Sequence, residues 1–383
     1  MRRWIPLVAA LIAARASAQT SSFLTTLGKD TLSFEQYRRV GDTITGDWVT
    51  GYGGIMYHHY VIVLRPEGRV QRYSLSLHRA SGKAEGAVDL SLTDDSLIVT
   101  TSGPPDSTRR IGASADAAVF ASTIAALETI TTLAHRRGGD SSVVRTVPAF
   151  GPYRLASVPV VFFGGDSARL GNPRAPLLLR VNGEGEIQSL SARLSTTRTE
   201  TVRVPNYDLA ALARHFHDVA EDAPILGAPS ISPRDTARGT VGNATITIDY
   251  GRPSVRGRDV FSHGVLGDTI WRAGANAATQ FTTTVDLSVG GKRLPAGTYS
   301  LWVHVRPNDS AYELLFNSQH GQWGTEHHPD RDVLAIPLDV RRMPAFVEQL
   351  RFDLERTGPG AILHLRWANL DLFESLAVWP AQH

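Results

Sequence analysis

Three arginines of the C-terminal half lie in loops that contain glycine or proline. They are Arg252, Arg258 and Arg272, and the last of them follows Trp271 and precedes Asn276. A guanidinium binds carboxylate or phosphate through paired hydrogen bonds and also stacks on aromatic rings. The pattern therefore indicates recognition of an anionic ligand or an acidic protein surface. The alternative interpretation is that these arginines brace their loops by binding backbone carbonyls and buried carboxylates.

Two polar residues and several tryptophans accompany these arginines. Asn276 and Thr279 lie in one loop, where the amide binds a ligand or satisfies its own turn backbone. The tryptophans of this half are Trp271, Trp302, Trp323 and Trp367. Trp367 falls on the apolar phase of its strand, whereas Trp302 falls on the polar phase. Because tryptophan dominates binding hot spots, we expect Trp271, Trp302 and Trp323 to contribute to a ligand or partner surface, unless another layer of the protein covers them.

A histidine-rich segment at residues 320–330 allows a metal interpretation, because imidazole and carboxylate suit zinc and similar ions. The candidate ligands are His304, His320, Glu326 and His327. Their spacing matches no recognised metal signature, and adjacent histidines on a strand point to opposite faces. We therefore favour solvated loop histidines, and we expect neither a metal nor another cofactor.

Signatures of nucleophilic catalysis are missing from the sequence. It has no Gly-x-Ser-x-Gly turn, no His-Glu-x-x-His run and no cysteine. We therefore assign no catalytic residue and favour a binding role over catalysis.

The charge of the chain argues against nucleic acid as a partner. Thirty-nine Lys and Arg against 37 Asp and Glu leave a formal charge of +2, and no basic run exceeds two residues. Proteins that bind nucleic acid concentrate basic residues in a patch or stripe. A small anionic ligand or a protein remains the expected partner.

The first 18 residues have the pattern of a secretory signal peptide. Two arginines precede an apolar stretch from Trp4 to Ala14, and Ala16-Ser17-Ala18 provides the cleavage site. The apolar stretch is shorter than the roughly 20 residues that span a bilayer, and no later stretch is long enough. We expect export to the periplasm or the extracellular space, with retention as an uncleaved anchor as the alternative.

Length and composition predict two domains. The 383 residues exceed the usual size of one domain, and the proline-rich residues 221–233 form the predicted linker between domains at 19–220 and 234–383. Short alternating runs predict an antiparallel sheet in the N-terminal domain. Helical spacing predicts a long helix from about Asp116 to Arg136 and a shorter one from about Tyr207 to Val219.

The C-terminal half shows the alternation of an antiparallel sandwich. From Gln280 to Val289, apolar or β-branched residues occupy the odd positions and polar residues the even ones, and the pattern resumes from Tyr299 to Val305. Such alternation buries one face of a sheet. We therefore expect a mainly β protein whose C-terminal domain is a sandwich or jelly roll.

Four sequence blocks carry a resemblance to a known family. They are Tyr250-Gly-Arg-Pro-Ser-Val-Arg-Gly-Arg258, Trp271-Arg-Ala-Gly-Ala-Asn276, Leu294-Pro-Ala-Gly-Thr-Tyr-Ser300 and Gln322-Trp-Gly324. From Ser232 to about Phe373 the chain closely resembles the bacterial secreted domain of unknown function 2911. The resemblance implies an exported β-sandwich with no assigned reaction. The family tends to place a glutamate where this chain has Ala277, so a site needing that carboxylate is not expected here. The N-terminal half is not recognised.

Three functional hypotheses follow. The leading one is a non-catalytic periplasmic or secreted binding protein, an accessory subunit that docks onto a larger membrane-associated complex through its C-terminal domain. The second is a metal-dependent or other enzyme that uses the His/Glu loop at 320–330. The third is a lipid or small-molecule carrier that uses the N-terminal sheet and helix.

Overall fold

The computed structural model describes residues 19–51, 56–79, 84–93, 95–102, 107–112, 117–149, 153–173, 176–194, 198–206, 232–258, 260–261, 269–306 and 311–380. This part of the chain is mainly β, which confirms the predicted fold class, and it forms two large sheets, one from each half. The strands of the N-terminal half all belong to one sheet, and those of the C-terminal half all belong to the other. Among the described residues, no helix is both long enough and apolar enough to span a membrane.

The N-terminal sheet has 15 strands in the order β8-β7-β6-β5-β4-β3-β2-β1-β15-β14-β13-β12-β11-β10-β9. The strands are β1 (Gln19–Leu27), β2 (Asp30–Val40), β3 (Thr43–Thr50), β4 (Met56–Leu64), β5 (Val70–Arg79), β6 (Ala84–Leu92), β7 (Ser96–Ser102), β8 (Ser107–Gly112), β9 (Ala117–Phe120), β10 (Ser141–Pro148), β11 (Ala156–Phe163), β12 (Ser167–Leu170), β13 (Leu177–Val181), β14 (Ile187–Ser191) and β15 (Glu200–Val204). Neighbouring strands are antiparallel except β9, which pairs parallel with β10. Pairing of β1 with β15 closes two hairpin meanders into one sheet.

The single helix of the described residues, α1 (Ile124–Arg136), lies inside the curve of this sheet. It is buried around most of its circumference, which is the pattern of a helix surrounded by other elements. Side chains of β2 and a backbone amide of β14, far apart in the strand order, both bond to α1 or its residues. The sheet therefore wraps around the helix, and both contribute to one apolar core.

The predicted long helix begins later than expected. Residues Ala117–Phe120 form β9, and α1 starts only at Ile124, after a bend at Ser122 and Thr123. The apolar run from Val119 onward satisfies a strand as well as a helix, so spacing alone could not divide it. The predicted second helix at 207–219, like most of the predicted linker, lies outside the described residues.

The C-terminal sheet has the order β16-β17-β19-β22-β23-β24-β25-β20-β21, and β18 pairs with β22 off this path. Its strands are β16 (Arg234–Val241), β17 (Ala244–Gly251), β18 (Thr269–Trp271), β19 (Thr279–Thr283), β20 (Leu287–Val289), β21 (Lys292–Leu294), β22 (Gly297–Arg306), β23 (Ala311–Asn317), β24 (Asp332–Thr357) and β25 (Gly360–Val378), with a 3₁₀ turn at Pro329–Arg331. The sheet folds back on itself, because Gly239 of β16 packs against Leu354 of β24. The result is sandwich-like, with a second core inside.

The long hairpin β24–β25 belongs to both layers of this sandwich. Its register shifts between Arg342 and Val347 and again before Arg351, and Ala368 opposite has a positive φ of 51°. Bulges of this kind bend a strand and let it serve two layers. Two loops, between β18 and β19 and between β23 and β24, lie at one end of the sandwich.

Candidate functional site

Two loops at one end of the C-terminal sandwich are joined by backbone hydrogen bonds. The first connects β18 to β19, and the second follows β23. Ala277 and Trp323 form an isolated antiparallel bridge. The amide of Ala278 donates to Gln322 O at 3.1 Å, and that of Gly324 donates to Asn276 O at 3.0 Å. We call this pair, residues 272–278 and 318–326, the double loop.

The first loop is held in a backbone conformation that needs support. Ala273 and Asn276 have φ values of 48° and 64°, in the left-handed region that residues with a Cβ seldom adopt. The buried Thr279 hydroxyl donates to Ala273 O at 3.1 Å, and the Trp271 indole donates to Gly274 O at 3.0 Å. The loop is therefore rigid, and Thr279 serves it as a brace.

The double loop presents one exposed tryptophan next to an arginine. Trp323 is 53% exposed. The next residue, Gly324, lies directly beneath Arg272, since a Cβ built on it would meet Arg272 Cδ at 1.8 Å. Arg272 Nη1 donates to Gly324 O at 3.3 Å, and burial lowers the pKa of this guanidinium. An indole and a guanidinium thus share one end of the sandwich.

Trp302 does not join this surface. It is 1% exposed, because the second loop folds over the face of β22 on which it lies. Its indole donates to Ser300 Oγ at 2.9 Å, and Gln322 Nε2 donates to the same oxygen at 2.9 Å. Trp302 therefore supports the double loop from below. The protein itself covers this residue, so it is not available to a partner.

The other predicted residues mainly hold the structure together. Trp271 is buried and stacks on Trp367 with ring centroids 5.6 Å apart. Arg252 binds Leu350 O and Asp235, whereas Arg258 donates to the carbonyls of two neighbours in its own loop. For these two arginines, the structure shows the bracing role that the alternative interpretation describes.

The four candidate metal ligands do not meet. Among the described residues, no three or more His, Asp or Glu side chains come together as a metal site would require. His327 binds Asp332 at 2.9 Å and packs against Trp302 with the ring planes tilted by 58°, and His304 faces Glu313 at 3.8 Å. His320 and Glu326 are exposed. His327 and His304 thus have local partners, and the four side chains share no common centre.

A buried charge cluster on the β24–β25 hairpin was not predicted from the sequence. Asp371 is 0% exposed and binds His364 Nδ1 at 2.9 Å and Arg341 Nη2 at 2.6 Å. Arg366 Nε lies 3.3 Å from the same carboxylate. The cluster ties the two long strands together where they change layers.

Two buried glutamates in the N-terminal half hold α1 inside its sheet. Glu35 of β2 accepts hydrogen bonds from the Tyr60 hydroxyl and the amides of Ile124 and Ala125. Glu128 of α1 accepts from the Tyr37 hydroxyl at 2.7 Å and the Ile187 amide at 2.8 Å. The hydrogen bonds lower the pKa of each carboxyl, but burial has the larger effect and raises it to about 7.

These raised values predict that the protein loses stability as pH rises. The unfolded carboxyls titrate near 4.5, so the stability associated with the protonated folded groups is complete below pH 4.5 and is lost as pH passes through 7. A shift of this size corresponds to about 3 kcal/mol per group. Urea unfolding followed by circular dichroism should give a lower free energy at about pH 8 than at about pH 5. Glu128→Gln should remove roughly half of that difference, and an unchanged slope in this variant would contradict the assignment.

Comparison with known proteins supports the sequence resemblance for one region. Residues 232–373 match the family described as "Protein of unknown function (DUF2911)", which confirms the resemblance there, and the N-terminal half has no family match. No curated protein matches the chain.

Two solved structures are similar to part of the chain at low sequence identity. One is a DUF1089 family protein from Pseudomonas aeruginosa, with a TM-score of 0.32, 12% identity, and coverage of 42% of this chain and 89% of that one. The other is a β-barrel-like protein of domain of unknown function DUF1849 from Brucella abortus, with a TM-score of 0.35, 12% identity, and coverage of 50% and 98%. At these TM-scores neither neighbour bears on function.

Proposed function

We propose that the chain is an exported, non-catalytic binding protein that docks onto a larger membrane-associated assembly through its double loop. The single observation that carries this proposal is Trp323, an indole 53% exposed on a braced loop. Ordering a loop on binding costs free energy, and a loop that is already rigid avoids that cost. An exposed, preorganised tryptophan has the properties of a binding hot spot.

The surroundings of Trp323 suit a protein partner. Arg272 lies beside it, and the amide side chain of Asn276 bonds weakly to Ser232 O at 3.4 Å. Tryptophan and arginine are enriched in protein interfaces, where the ring supplies apolar area and the guanidinium supplies directed hydrogen bonds. Export through the N-terminal segment would bring this surface to the cell envelope.

Replacing Trp323 with alanine should weaken partner binding strongly. The partner is isolated from envelope fractions with the full mature chain, identified by mass spectrometry and purified, and its Kd is measured by calorimetry. We expect Trp323→Ala to raise that Kd at least about thirtyfold, the effect of losing a hot spot of about 2 kcal/mol. Its own thermal stability should barely change, because the bridge to Ala277 is made by backbone atoms.

The matched control is Phe163→Ala, which removes another exposed aromatic ring from β11 of the N-terminal sheet. It should leave the Kd within about twofold of wild type. Recovery of the free chain alone from native envelopes, or equal affinity of wild type and Trp323→Ala, would reject the proposal.

The lipid-carrier alternative has a steric requirement. The interior of the N-terminal sheet is filled by α1, whose Ala125, Ala126 and Ile130 are fully buried in the shared core. A carrier would have to displace this helix and break the hydrogen bonds made by Glu35 and Glu128.

The enzyme alternative requires the His and Glu residues between positions 304 and 327 to converge. His304 instead faces Glu313, and His327 binds Asp332.

A further inference from the structure

A bulged apolar segment lies in the middle of the β24–β25 hairpin. Among the described residues, Phe346 has the greatest exposure of any large apolar side chain, at 60%. It ends the segment Met343–Phe346, and opposite these four residues β25 supplies a single residue, Asn369. The pairs that flank the segment are Arg342 with Leu370 and Val347 with Ala368. We call residues 343–346 the bulge tip.

The sequence of the bulge tip keeps it out of the strand ladder. Pro344 has no amide hydrogen to donate, and proline within a sheet is confined to edges and bulges. Pro344 and Ala345 are exposed, as Phe346 is. Burying a phenylalanine side chain normally stabilises a protein. An exposed phenylalanine that the backbone holds away from the core, beside other exposed apolar residues, therefore indicates an interaction surface.

Two arginines form the base of the bulge tip. Arg341 and Arg342 directly precede it in the chain. The Arg341 side chain is 58% exposed, and its Nη2 donates to the buried Asp371 at 2.6 Å. Arg342 is exposed and forms no ion pair within the described part of the chain. No acidic residue occurs from Val340 to Val347, so the segment combines an apolar end with a positively charged base.

The strand that carries the bulge tip is anchored directly after it. Glu348 is the next acidic residue, and its carboxylate accepts the Arg256 amide at 2.8 Å, while its carbonyl accepts the Val255 amide at 2.8 Å. Ser254 and Gln349 form an isolated bridge at the same place. The carboxylate of Glu348 is thus used within the protein, and the bulge tip extends from a base that is already ordered, which lowers the entropy cost of binding.

We propose that the bulge tip and its two arginines bind the surface of an anionic lipid bilayer. Phe346 enters the boundary between headgroups and acyl chains, and the guanidiniums of Arg341 and Arg342 stay at the level of the lipid phosphates. A protein hot spot is usually a closely packed pocket, whereas an apolar projection above a positive base suits a soft, negatively charged surface. Insertion is shallow, because backbone groups outside a strand ladder are costly to place in hydrocarbon. This contact does not depend on Trp323.

Vesicle binding is the first test. The full mature chain is sedimented with vesicles of phosphatidylcholine alone and of phosphatidylcholine mixed with phosphatidylglycerol. Binding should require phosphatidylglycerol and weaken as the salt concentration rises. Phe346→Ser should lower the partition coefficient about tenfold, and Arg342→Gln about fivefold. Because both side chains are exposed, the two variants should melt at the temperature of wild type.

Two matched controls change the same side-chain types elsewhere. Val333→Ser removes an apolar side chain that is 50% exposed on β24 outside the bulge. Arg293→Gln removes an exposed arginine that pairs with Asp286. Each should keep the partition coefficient within about twofold of wild type.

A fluorescent label provides the second test and leaves Phe346 in place. The chain has no cysteine, so Ala345→Cys creates a single attachment point on the bulge tip, and Val333→Cys creates one on the same strand outside it. An environment-sensitive fluorophore at position 345 should shift its emission to the blue on vesicles that contain phosphatidylglycerol. The same label at position 333 should not shift.

Three results would overturn the proposal. They are binding by Phe346→Ser equal to that of wild type, binding that does not need phosphatidylglycerol, and no emission shift at position 345. If the wild-type chain ignores both vesicles and Phe346→Ser instead weakens binding to the partner protein, the bulge tip is a protein interface and the lipid assignment is wrong. Trp323→Ala should bind vesicles as wild type does, so a failure of partner binding and a failure of lipid binding are separate results.

Discussion

Glu35→Ala is expected to lower the free energy of unfolding by about 3 kcal/mol or more, because it removes the carboxyl group whose oxygens hold the start of α1. Glu35 is 3% exposed, and its two oxygens accept three hydrogen bonds, from Tyr60 at 2.7 Å, Ile124 at 2.6 Å and Ala125 at 3.0 Å. Alanine would leave all three donors buried without a partner.

No residue of the helix itself can replace this carboxylate. Thr123 occupies the N-cap position, but its side chain makes no capping hydrogen bond. The first amides of a helix have no partner within the helix, so they need acceptors from elsewhere. Glu35, 89 residues earlier in the chain, therefore acts as the cap for α1 from the neighbouring sheet.

The loss is measured by urea unfolding followed by far-ultraviolet circular dichroism at about pH 6. The matched control is Glu184→Ala, which removes an exposed glutamate from the turn between β13 and β14 and should change stability by less than about 0.5 kcal/mol. If Glu35→Ala were as stable as this control, the helix would have to be held by apolar packing alone.

The alternation of apolar and polar side chains predicts the mainly β fold. It does not predict which strands pair with each other. The alternation from Gln280 to Val289 is continuous in the sequence, whereas the structure divides these residues between two strands, β19 and β20, which pair with β22 and β25. The chain turns between them, where Thr284 Oγ1 accepts the Thr245 amide and Asp286 accepts the Ala296 amide. Polar residues on the predicted outer face thus direct the chain into a different layer, which their spacing does not reveal.

The candidate site was predicted only in part, because side-chain period does not show which other segment covers a residue. Trp302 departs from the apolar phase of its strand, and this signal indicates only that something other than the main core contacts it. Whether that contact is a partner or the chain's own loop depends on residues 318–331, which have no regular period. Trp323 has no strand phase to judge by, and its exposure follows from the bridge to Ala277.

The buried charges were missed because neither strand period nor turn residues record which side chains a buried charge contacts. Glu35 binds the amides of Ile124 and Ala125, which lie about 90 positions later in the chain. Asp371 and His364 are on one strand, but the bulge at Ala368 brings them to the same side. A single sequence contains no record of such pairs, whereas local periods and turn residues are visible in it.

The cluster around Asp371 leads to the second large effect, since Asp371→Asn is expected to cost about 3 to 5 kcal/mol. The substitution keeps the shape of the side chain but removes the negative charge that Arg341, His364 and Arg366 share. It also directs an amide donor at groups that are themselves donors. Arg366 and His364 would keep only the partly exposed Asp353 and Glu355 as counter-charges, and removing the buried partner is the costly way to break an ion cluster.

The pH dependence of the stability lost in Asp371→Asn shows whether the carboxylate acts through its charge or through its packing. Burial alone would raise the pKa of Asp371, but the bonds from Arg341 and His364 and the charge of Arg366 hold it below its ordinary value. Its stabilising contribution is therefore complete above the unfolded pKa and is lost as pH falls through the folded one. In urea unfolding, wild type and Asp371→Asn should differ most near neutral pH and converge in acid.

Asp353→Asn is the matched control for this experiment. Asp353 also binds Arg366, at 2.8 Å, but its side chain is partly exposed, so the same chemical change should cost no more than about 1 kcal/mol. A cost for Asp371→Asn that stays constant from neutral pH into acid would show that the carboxylate acts by filling space and not by its charge. Equal costs for the two variants would mean that the β24–β25 hairpin is held at its bend by apolar contacts, with the charge cluster only accompanying them.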